Sequence, residues 1–420
     1  MKDSGIEWIG EIPEDWEVQK LKYGSDCNSN TLSENIDDEK LIRYIDIGAV
    51  TNEYGIQEIQ TFIFKDAPNR ARRIIKENDT IISTVRTYLK AIAYVPKEYN
   101  DYICSTGFAV VAPKKCFNGK YMFYSLNADW FVSTIESRST GISYPAINAS
   151  SLVNFKMLVP PILEQVIIAT YLDSKCTKID ETIEMEKQVI EKLKTYKQSV
   201  ITEAVTKGLD LNVPMKDSGI EWIGEIPEHW KAIKLKYEFR IKKNIAGKVG
   251  YDILSVTQKG IKIKDISNNK GQISMDYTKY QLVDINDYVM NHMDLLTGFV
   301  DCSKYVGITS PDYRVFSLIN KKNSREYFKY IFQSCYTNKI FYGLGQGVSG
   351  LGRWRLQTDK FLNFSLPIPQ ICEQDKIATY LNNKCFNIDR AIIQKENLIE
   401  KLTQYKKSLI YECVTGKMEV

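Results

Sequence analysis

Side chains able to do chemistry are few in this 420-residue chain, and their spacing argues against catalysis. Its two histidines, His229 and His292, stand far apart, which leaves no His-rich metal site and no His-centred triad. The cysteines are odd in number and never spaced Cys-x-x-Cys, so neither a zinc ribbon nor a disulfide framework is expected, and a reduced cytoplasm suits them. An Asn/Asp-Pro-Pro-Tyr/Phe motif, a Walker P-loop and a nuclease carboxylate–lysine cluster are all absent. Pro160-Pro161 follows Val159 and lacks the polar residue that would hold an adenine amino group. Gly343-Leu344-Gly345-Gln346-Gly347 follows a helix-like run rather than a strand, so it lacks the context of a dinucleotide fingerprint. A flexible loop whose amides approach a phosphate suits it better. No catalytic residue, no metal ligand and no cofactor are expected in the chain itself.

What remains is basic and aromatic. The whole chain carries 56 Lys and Arg against 52 Asp and Glu, too slight an excess to announce a polyanion partner. Its distribution says more: residues 231–369 hold 22 basic against 11 acidic side chains, while residues 17–160 hold 17 against 16 and are basic only locally. A basic face interleaved with aromatics is the footprint of phosphate binding, although charge runs are more often plain solvated surface. Arg suits guanine edges and Lys suits phosphates. The candidates in the first basic region are Arg70, Arg72, Arg73, Arg86, Tyr88 and Lys90, with Arg138 and Tyr144 around Ser139-Thr140-Gly141. Those in the second are Lys242, Lys243, Lys304, Tyr313 and Arg314, and Arg353, Trp354 and Arg355 after the glycine-rich stretch 343–352.

These candidates sit inside a duplicated frame. Met1–Trp16 recurs as Met215–Trp230 with one change, His229 for Asp15. A second repeat pairs Glu164-Gln165 with Glu373-Gln374, and Ile168-Ala169-Thr170-Tyr171-Leu172 with Ile377-Ala378-Thr379-Tyr380-Leu381. It runs on to Val205-Thr206 and Val414-Thr415. The halves agree at their ends and differ in their middles, so one frame holds two unlike inserts. Trp8, Trp16, Trp222 and Trp230 read as anchors that pack the acidic repeat segments onto this frame; a docking surface for partners is the competing reading. Gly141 and Gly350 fall at matching places, ahead of Ile147 and Leu356, and are expected in one loop beside the frame.

The frame reads as long helices. Leu172, Ile179, Ile183, Glu186, Ile190 and Leu193 follow alternating steps of three and four, as do Leu381, Ile388, Ile392, Lys395, Ile399 and Leu402. Prolines 160, 161, 367 and 369 precede the two patterns, and Gly208 and Gly416 follow them. The narrow stripes predict that the helices pair with each other, the alternative being two surface helices packed on separate domains. Glu186 and Lys395 hold equivalent seam positions with opposite charge and are expected near each other at mid-pair, or else snorkelling to solvent. The inserts read as mixed α/β. Strands are expected at Leu41–Val50, Thr80–Val85, Tyr88–Val95, Tyr251–Val256, Asp287–Asn291 and Tyr313–Leu318, and helices at Lys120–Glu136 and Arg325–Ile340.

The Gly-Ile-Glu-Trp-Ile-Gly-Glu-Ile-Pro-Glu-x-Trp segments, with Pro160-Pro161-Ile162-Leu163-Glu164-Gln165 and Glu373-Gln374 leading into helices that end Val-Thr, resemble the specificity (S) subunits of type I restriction–modification systems. Tyr288-Val289-Met290-Asn291, Met293–Gly298 and Thr309–Arg314 resemble one class of target-recognition domain in that family. The resemblance covers essentially the whole chain and implies an α+β fold. Two mixed α/β target-recognition domains would be separated by a pair of long antiparallel coiled-coil helices, with a pseudo-two-fold internal repeat. The expected boundaries are 1–160 and 215–368 for the recognition domains, 161–214 and 369–420 for the spacer helices. It further implies a non-catalytic subunit that binds double-stranded DNA. Each domain would read half of a bipartite target, with the helices setting the gap and docking two modification subunits. S-adenosylmethionine for adenine N6 methylation would sit on those partners, and restriction subunits would complete the nuclease. A coiled-coil scaffold without DNA specificity and a degenerate methyltransferase fusion are the rival readings. No apolar run reaches the ~18 residues of a membrane span, and Met1-Lys2-Asp3-Ser4 is no signal peptide, so a cytoplasmic protein with no membrane partner is expected.

Overall fold

The computed structural model describes residues 1–33, 35–53, 55–210, 212–265, 276–348 and 353–420; of Val348 and Arg353 it describes the backbone alone. Gly350 lies outside the described residues. The chain divides into two compact units, the first made of residues 1–186 and 397–420, the second of residues 187–396. Each unit thus combines one insert with a stretch of both long helices.

Those helices are Ile162–Lys207, 46 residues, and Ile371–Val414, 44 residues. Both end where the sequence places glycine: Gly208 and Gly416 adopt left-handed φ of 80° and 70°. Gly416 is doubly constrained, since a Cβ there would lie 2.4 Å from Pro13 Cδ. In the first unit Ile179 and Ile183 share a core with Leu409, Ile410 and Cys413, and Lys406 Nζ reaches Asp180 Oδ2 at 2.6 Å. In the second, Val200 and Ala204 share a core with Ile377, Leu381 and Cys385, while Lys197 Nζ reaches Asp389 Oδ2 at 2.7 Å. Moving back from Ala204 to Lys197 moves forward from Leu381 to Asp389, so the segments run antiparallel. Asp389 is the repeat counterpart of Asp180, and Lys406 of Lys197. The same ion pair therefore forms in each unit with the copies exchanged, which is the pseudo-two-fold relation in side-chain terms. Of the seam residues, Leu172, Ile179, Ile183, Ile190, Leu381, Ile388 and Ile392 are buried. Glu186, Leu193, Lys395, Ile399 and Leu402 are half-buried.

Each insert is clasped at its base by two antiparallel strands, Glu17–Lys20 with Lys156–Val159 and Lys231–Lys234 with Ser365–Ile368. The second strand of each clasp runs straight into a long helix. In the first insert one four-stranded sheet orders Ile92–Tyr94, Thr80–Ser83, Phe108–Pro113 and Ser25–Cys27. A second sheet orders Gln60–Ile63, Leu41–Ile45, Ile103–Ser105 and Ala71–Ile74. The second insert is built on a sheet ordered Phe239–Lys242, Arg314–Leu318, Tyr288–Met290 and Val300–Cys302. Its core is aromatic: the Phe239 ring lies 5.1 to 5.6 Å from those of Tyr288, Phe316, Phe328 and Phe332.

Local chemistry shortens several expected elements. The strand from Leu41 stops at Ile45, because Asp46 accepts from Gly48 N and turns the chain into a 3-10 turn at Ile47–Ala49. The expected strand Tyr88–Val95 keeps only Ile92–Tyr94. Arg86 and Lys90 both adopt left-handed φ of 51° around a 3-10 turn, Thr87–Leu89. The expected helix Lys120–Glu136 is two helices, Gly119–Asn127 and Asp129–Arg138, broken where Ala128 turns extended.

A joint fastens each insert helix to a long helix. Gln165, fully buried, accepts from Asn118 N and donates to Cys116 O and Pro160 O. Gln374, also buried, accepts from Ser324 N and donates to Asn323 Oδ1 and Pro369 O. Asn118 and Ser324 are the N-caps of the insert helices Gly119–Asn127 and Arg325–Thr337, so each glutamine ties a helix start to a helix start. Tyr121 Oη contacts the carbonyls of Leu158 and Val414, and Tyr327 Oη those of Pro367 and Val205, at matching positions of the repeat. The Glu-Gln motif is therefore a structural hinge pin. Its chemistry was not visible from spacing alone, because the partners lie in the divergent inserts.

The acidic repeats behave unequally. Trp16 and Trp230 are fully buried, as anchors should be. Trp222 stacks on Phe364 with rings 5.7 Å apart. Trp8 departs from the anchor expectation: it is 55% exposed, and its carbonyl accepts from Tyr411 Oη. The single sequence change also has a consequence. His229 Nε2 lies 2.9 Å from Glu373, whereas its counterpart Asp15 places a second carboxylate beside Glu164.

Candidate nucleic-acid interface

In the first unit two loops converge. One is the left-handed turn at residues 86–90, which follows the strand Thr80–Ser83; the other is the segment 139–146, which follows the helix Asp129–Arg138. They are joined by a bridge between Val85 and Ala146, by Thr87 N donating to Pro145 O, and by Thr87 Oγ1 donating to Ser139 Oγ at 2.8 Å. The Arg86 guanidinium sits 4.8 Å over the Tyr144 ring, and Lys90 Nζ lies 3.7 Å from Glu136. Arg86, Tyr88, Arg138 and Tyr144 are exposed here, with Leu89 and Ile142, which the basic and aromatic pattern did not single out. The left-handed φ at two non-glycine residues is locally unfavourable and is held by these cross-links.

Arg70 is exposed and tied toward the same edge: its carbonyl accepts from Thr106 N, and the adjoining Gly107 O accepts from Thr84 N. Its neighbours turn elsewhere. Arg72 stacks over Phe64 at 5.1 Å and donates to Ala71 O. Arg73 is half-buried beside Cys27 and Cys104, and burial holds its pKa below the usual value. A residue spent on its own strand is poorly placed to meet a phosphate.

In the second unit the strand Arg353–Arg355 pairs with Gln346–Val348, so Gln346 and Gly347 lie in a paired strand rather than in the expected loop; residues 349–352 lie outside the described residues. The strand pair lies on the segment following Tyr288–Met290: Leu356 N donates to His292 O, and Leu295 N to Trp354 O. Trp354 is half-buried, its Nε1 donating to Tyr342 O at 2.7 Å, while Arg355 is exposed. Burial, reinforced by Arg314 and Arg355, lowers the His292 pKa from 6.5 to about 4, so the ring is neutral. Lys243 and Lys304 are exposed, Lys304 on the turn between strands Val300–Cys302 and Gly307–Thr309.

Three candidates are committed internally. Arg314 is buried: its Nη2 donates to Leu356 O and Thr358 Oγ1, and its guanidinium lies 4.5 Å over Phe361. Burial lowers its pKa to about 10. Lys242 is held by Asp284 at 2.6 Å and Asp287 at 2.5 Å. Burial alone would lower its pKa, but those hydrogen bonds outweigh it and raise the value. Tyr313 is half-buried, with its carbonyl accepting from Gln281 Nε2. Sequence alone could not separate such core cations from surface ones, since both follow the same strand pattern. Of Arg353 only the backbone is described.

Among the described residues no group of three or more His, Cys, Asp or Glu could hold a metal ion, and no helix is long and apolar enough to cross a membrane. The fold is two clasped α/β inserts on a duplicated pair of antiparallel helices; the first insert carries an exposed basic and aromatic edge, and the second exposes Lys243, Lys304 and Arg355. The chain belongs to the family described as type I restriction modification DNA specificity domain, which matches residues 13–195 and again 227–404. It is 26% identical over 431 residues to the type I restriction enzyme MjaVIII specificity subunit of Methanocaldococcus jannaschii, covering 97% of this chain and 94% of that protein. The EcoKI specificity subunit of Escherichia coli is 20% identical over 381 residues, covering 85% of this chain and 78% of that protein. The crystal structure of the HsdS subunit from Thermoanaerobacter tengcongensis shares the fold, with a TM-score of 0.57 at 18% identity over the full length of both chains. A chain from a study of complex assembly and conformational transition of the type I R-M system has a TM-score of 0.76 at 17% identity, over 97% of this chain and all of that one.

Proposed function

We propose that this subunit reads a bipartite target in double-stranded DNA, residues 1–160 taking one half and residues 215–368 the other. The long helices, within residues 161–214 and 369–420, set the unread gap and dock two modification subunits. Those subunits hold S-adenosylmethionine and methylate adenine at N6. Restriction subunits join the same assembly in the cytoplasm. The chain itself contributes recognition and no chemistry. The observation that supports this most is the exchange of one ion pair between copies, Asp180–Lys406 and Lys197–Asp389, under two inserts of unlike sequence. An evolved frame is kept twice while its readers differ, as a split, asymmetric target requires. Forty-six helical residues span about 69 Å at 1.5 Å each, more than the ~34–36 Å of one DNA turn. Glu186 and Lys395, at equivalent seam positions, are proposed to help fix register at mid-pair.

The test is duplex binding by this chain assembled with its modification subunit, measured by fluorescence anisotropy over a range of salt. Phosphate contacts give a steep fall of log affinity with log salt. A flat dependence, or methyl-donor binding by the isolated chain, would overturn the reading.

A further inference from the structure

The geometry points to Ile142 as an apolar base reader, held at a loop tip to meet the 5-methyl group of a thymine in the half-site read by the first unit. This rests on the DNA-reading function proposed above and names a contact within it. Ile142 is 103% exposed, an extreme for a branched aliphatic residue in a folded protein. It has company: Tyr144 is 64%, Tyr88 52% and Leu89 50% exposed.

The tip is built, not frayed. Thr140 and Ala146 exchange both backbone hydrogen bonds at 2.9 Å, and Ile147 N donates to Thr84 O at 2.9 Å. Gly141 takes φ of 110°, and a Cβ there would lie 3.1 Å from Tyr144 O, so the turn that presents Ile142 depends on glycine. Arg138 stands four residues before Ile142, and Arg86 lies over Tyr144 two residues after it. An apolar tip flanked by exposed guanidinium groups is complementary to a surface that is anionic at its rim and apolar within. The major groove offers that combination at the thymine methyl, its one apolar feature. Insertion between base pairs would demand the loss of a stacked step, which wedge proteins offset by bending DNA around a large surface. A methyl contact demands no such distortion.

The experiment uses the full assembly and duplexes carrying its methylated target, with each thymine of the first half-site replaced in turn by uracil. At one position the unmodified assembly should lose about fourfold in affinity, the value of one buried methyl-sized group. Ile142→Ala should lose a similar factor on the thymine duplex and nothing further on the uracil duplex, with unchanged thermal unfolding. Silence at every thymine, a half-site of G·C pairs only, or losses that multiply would each overturn the inference while leaving DNA reading intact. Failure of the unmodified assembly to bind any duplex would instead remove the reading on which it rests.

Discussion

Replacing Gln165 with alanine tests the joint between the first insert and the long helix. The side chain is fully buried and makes three hydrogen bonds, of 2.9 Å from Asn118 N, 3.0 Å to Cys116 O and 2.8 Å to Pro160 O. Truncation leaves three backbone groups without partners. Cys116 is exposed, so water can reach its carbonyl. The Asn118 amide and the Pro160 carbonyl lie deeper, and orphaning each costs about 1–3 kcal/mol, or about 3 kcal/mol together. Because the chain holds two units, the effect is best read locally, by hydrogen exchange of the helix Gly119–Asn127. At about 1.4 kcal/mol per tenfold, its amides should exchange roughly 100-fold faster. Gln374→Ala should have a similar effect on the helix Arg325–Thr337, because it orphans Ser324 N, Asn323 Oδ1 and the Pro369 carbonyl, and the Asn323 bond to Glu238 uses the Nδ2 donor and leaves Oδ1 unpaired. An acceleration below about fivefold for Gln165→Ala would show that the joint does not rest on this side chain.

Four further outcomes follow from the same geometry. Asp180→Lys and Lys406→Asp should each destabilise the first unit by no more than about 1 kcal/mol, as expected of a half-exposed pair, and the double swap should recover most of it; a double variant no better than the worse single would show that the pair contributes nothing to the helix pairing in this unit. Arg314→Ala should destabilise the second unit by about 3 kcal/mol in urea unfolding through orphaned buried acceptors, whereas Arg86→Ala should leave stability unchanged and weaken duplex binding; the reverse pattern would refute their assignment. His292 is neutral when folded, with its pKa lowered from 6.5 to about 4, so the unfolded chain binds the extra proton between those values. Its contribution is complete above pH 6.5 and is lost as pH falls toward 4; His292→Gln should flatten the second unit's stability across that window, and an unchanged slope would count against it. Inserting one helical turn, about 5.4 Å, into each long helix should lengthen the target gap by about one to two base pairs.

Much of the architecture was legible because it is periodic or duplicated. Stripes such as Leu172–Ile179–Ile183 and Leu381–Ile388–Ile392 admit few arrangements other than paired helices, and the repeat of Met1–Trp16 declares the frame outright. The inserts were harder to read. Two left-handed residues, Arg86 and Lys90, ended a strand that β-propensity alone would extend, and no pattern announces such a conformation outside glycine. The candidate interface could be proposed from sequence as a set of basic residues but not as a surface. Arg86 and Arg314 are alike in sequence, yet one stacks on an exposed tyrosine while the other is buried over Phe361. That difference is decided by long-range packing. Ile142 escaped notice because an isolated aliphatic residue in a loop carries no signal until its exposure is known.

The most direct test of the central claim is the methylome of cells expressing this chain with its modification subunit, before and after exchanging the first insert for that of a relative. The account predicts N6-methyladenine in a motif of two short specified blocks around a fixed unread gap, with the exchange altering one block and sparing both the other block and the gap. A continuous motif, or an exchange that changes both blocks together, would contradict it.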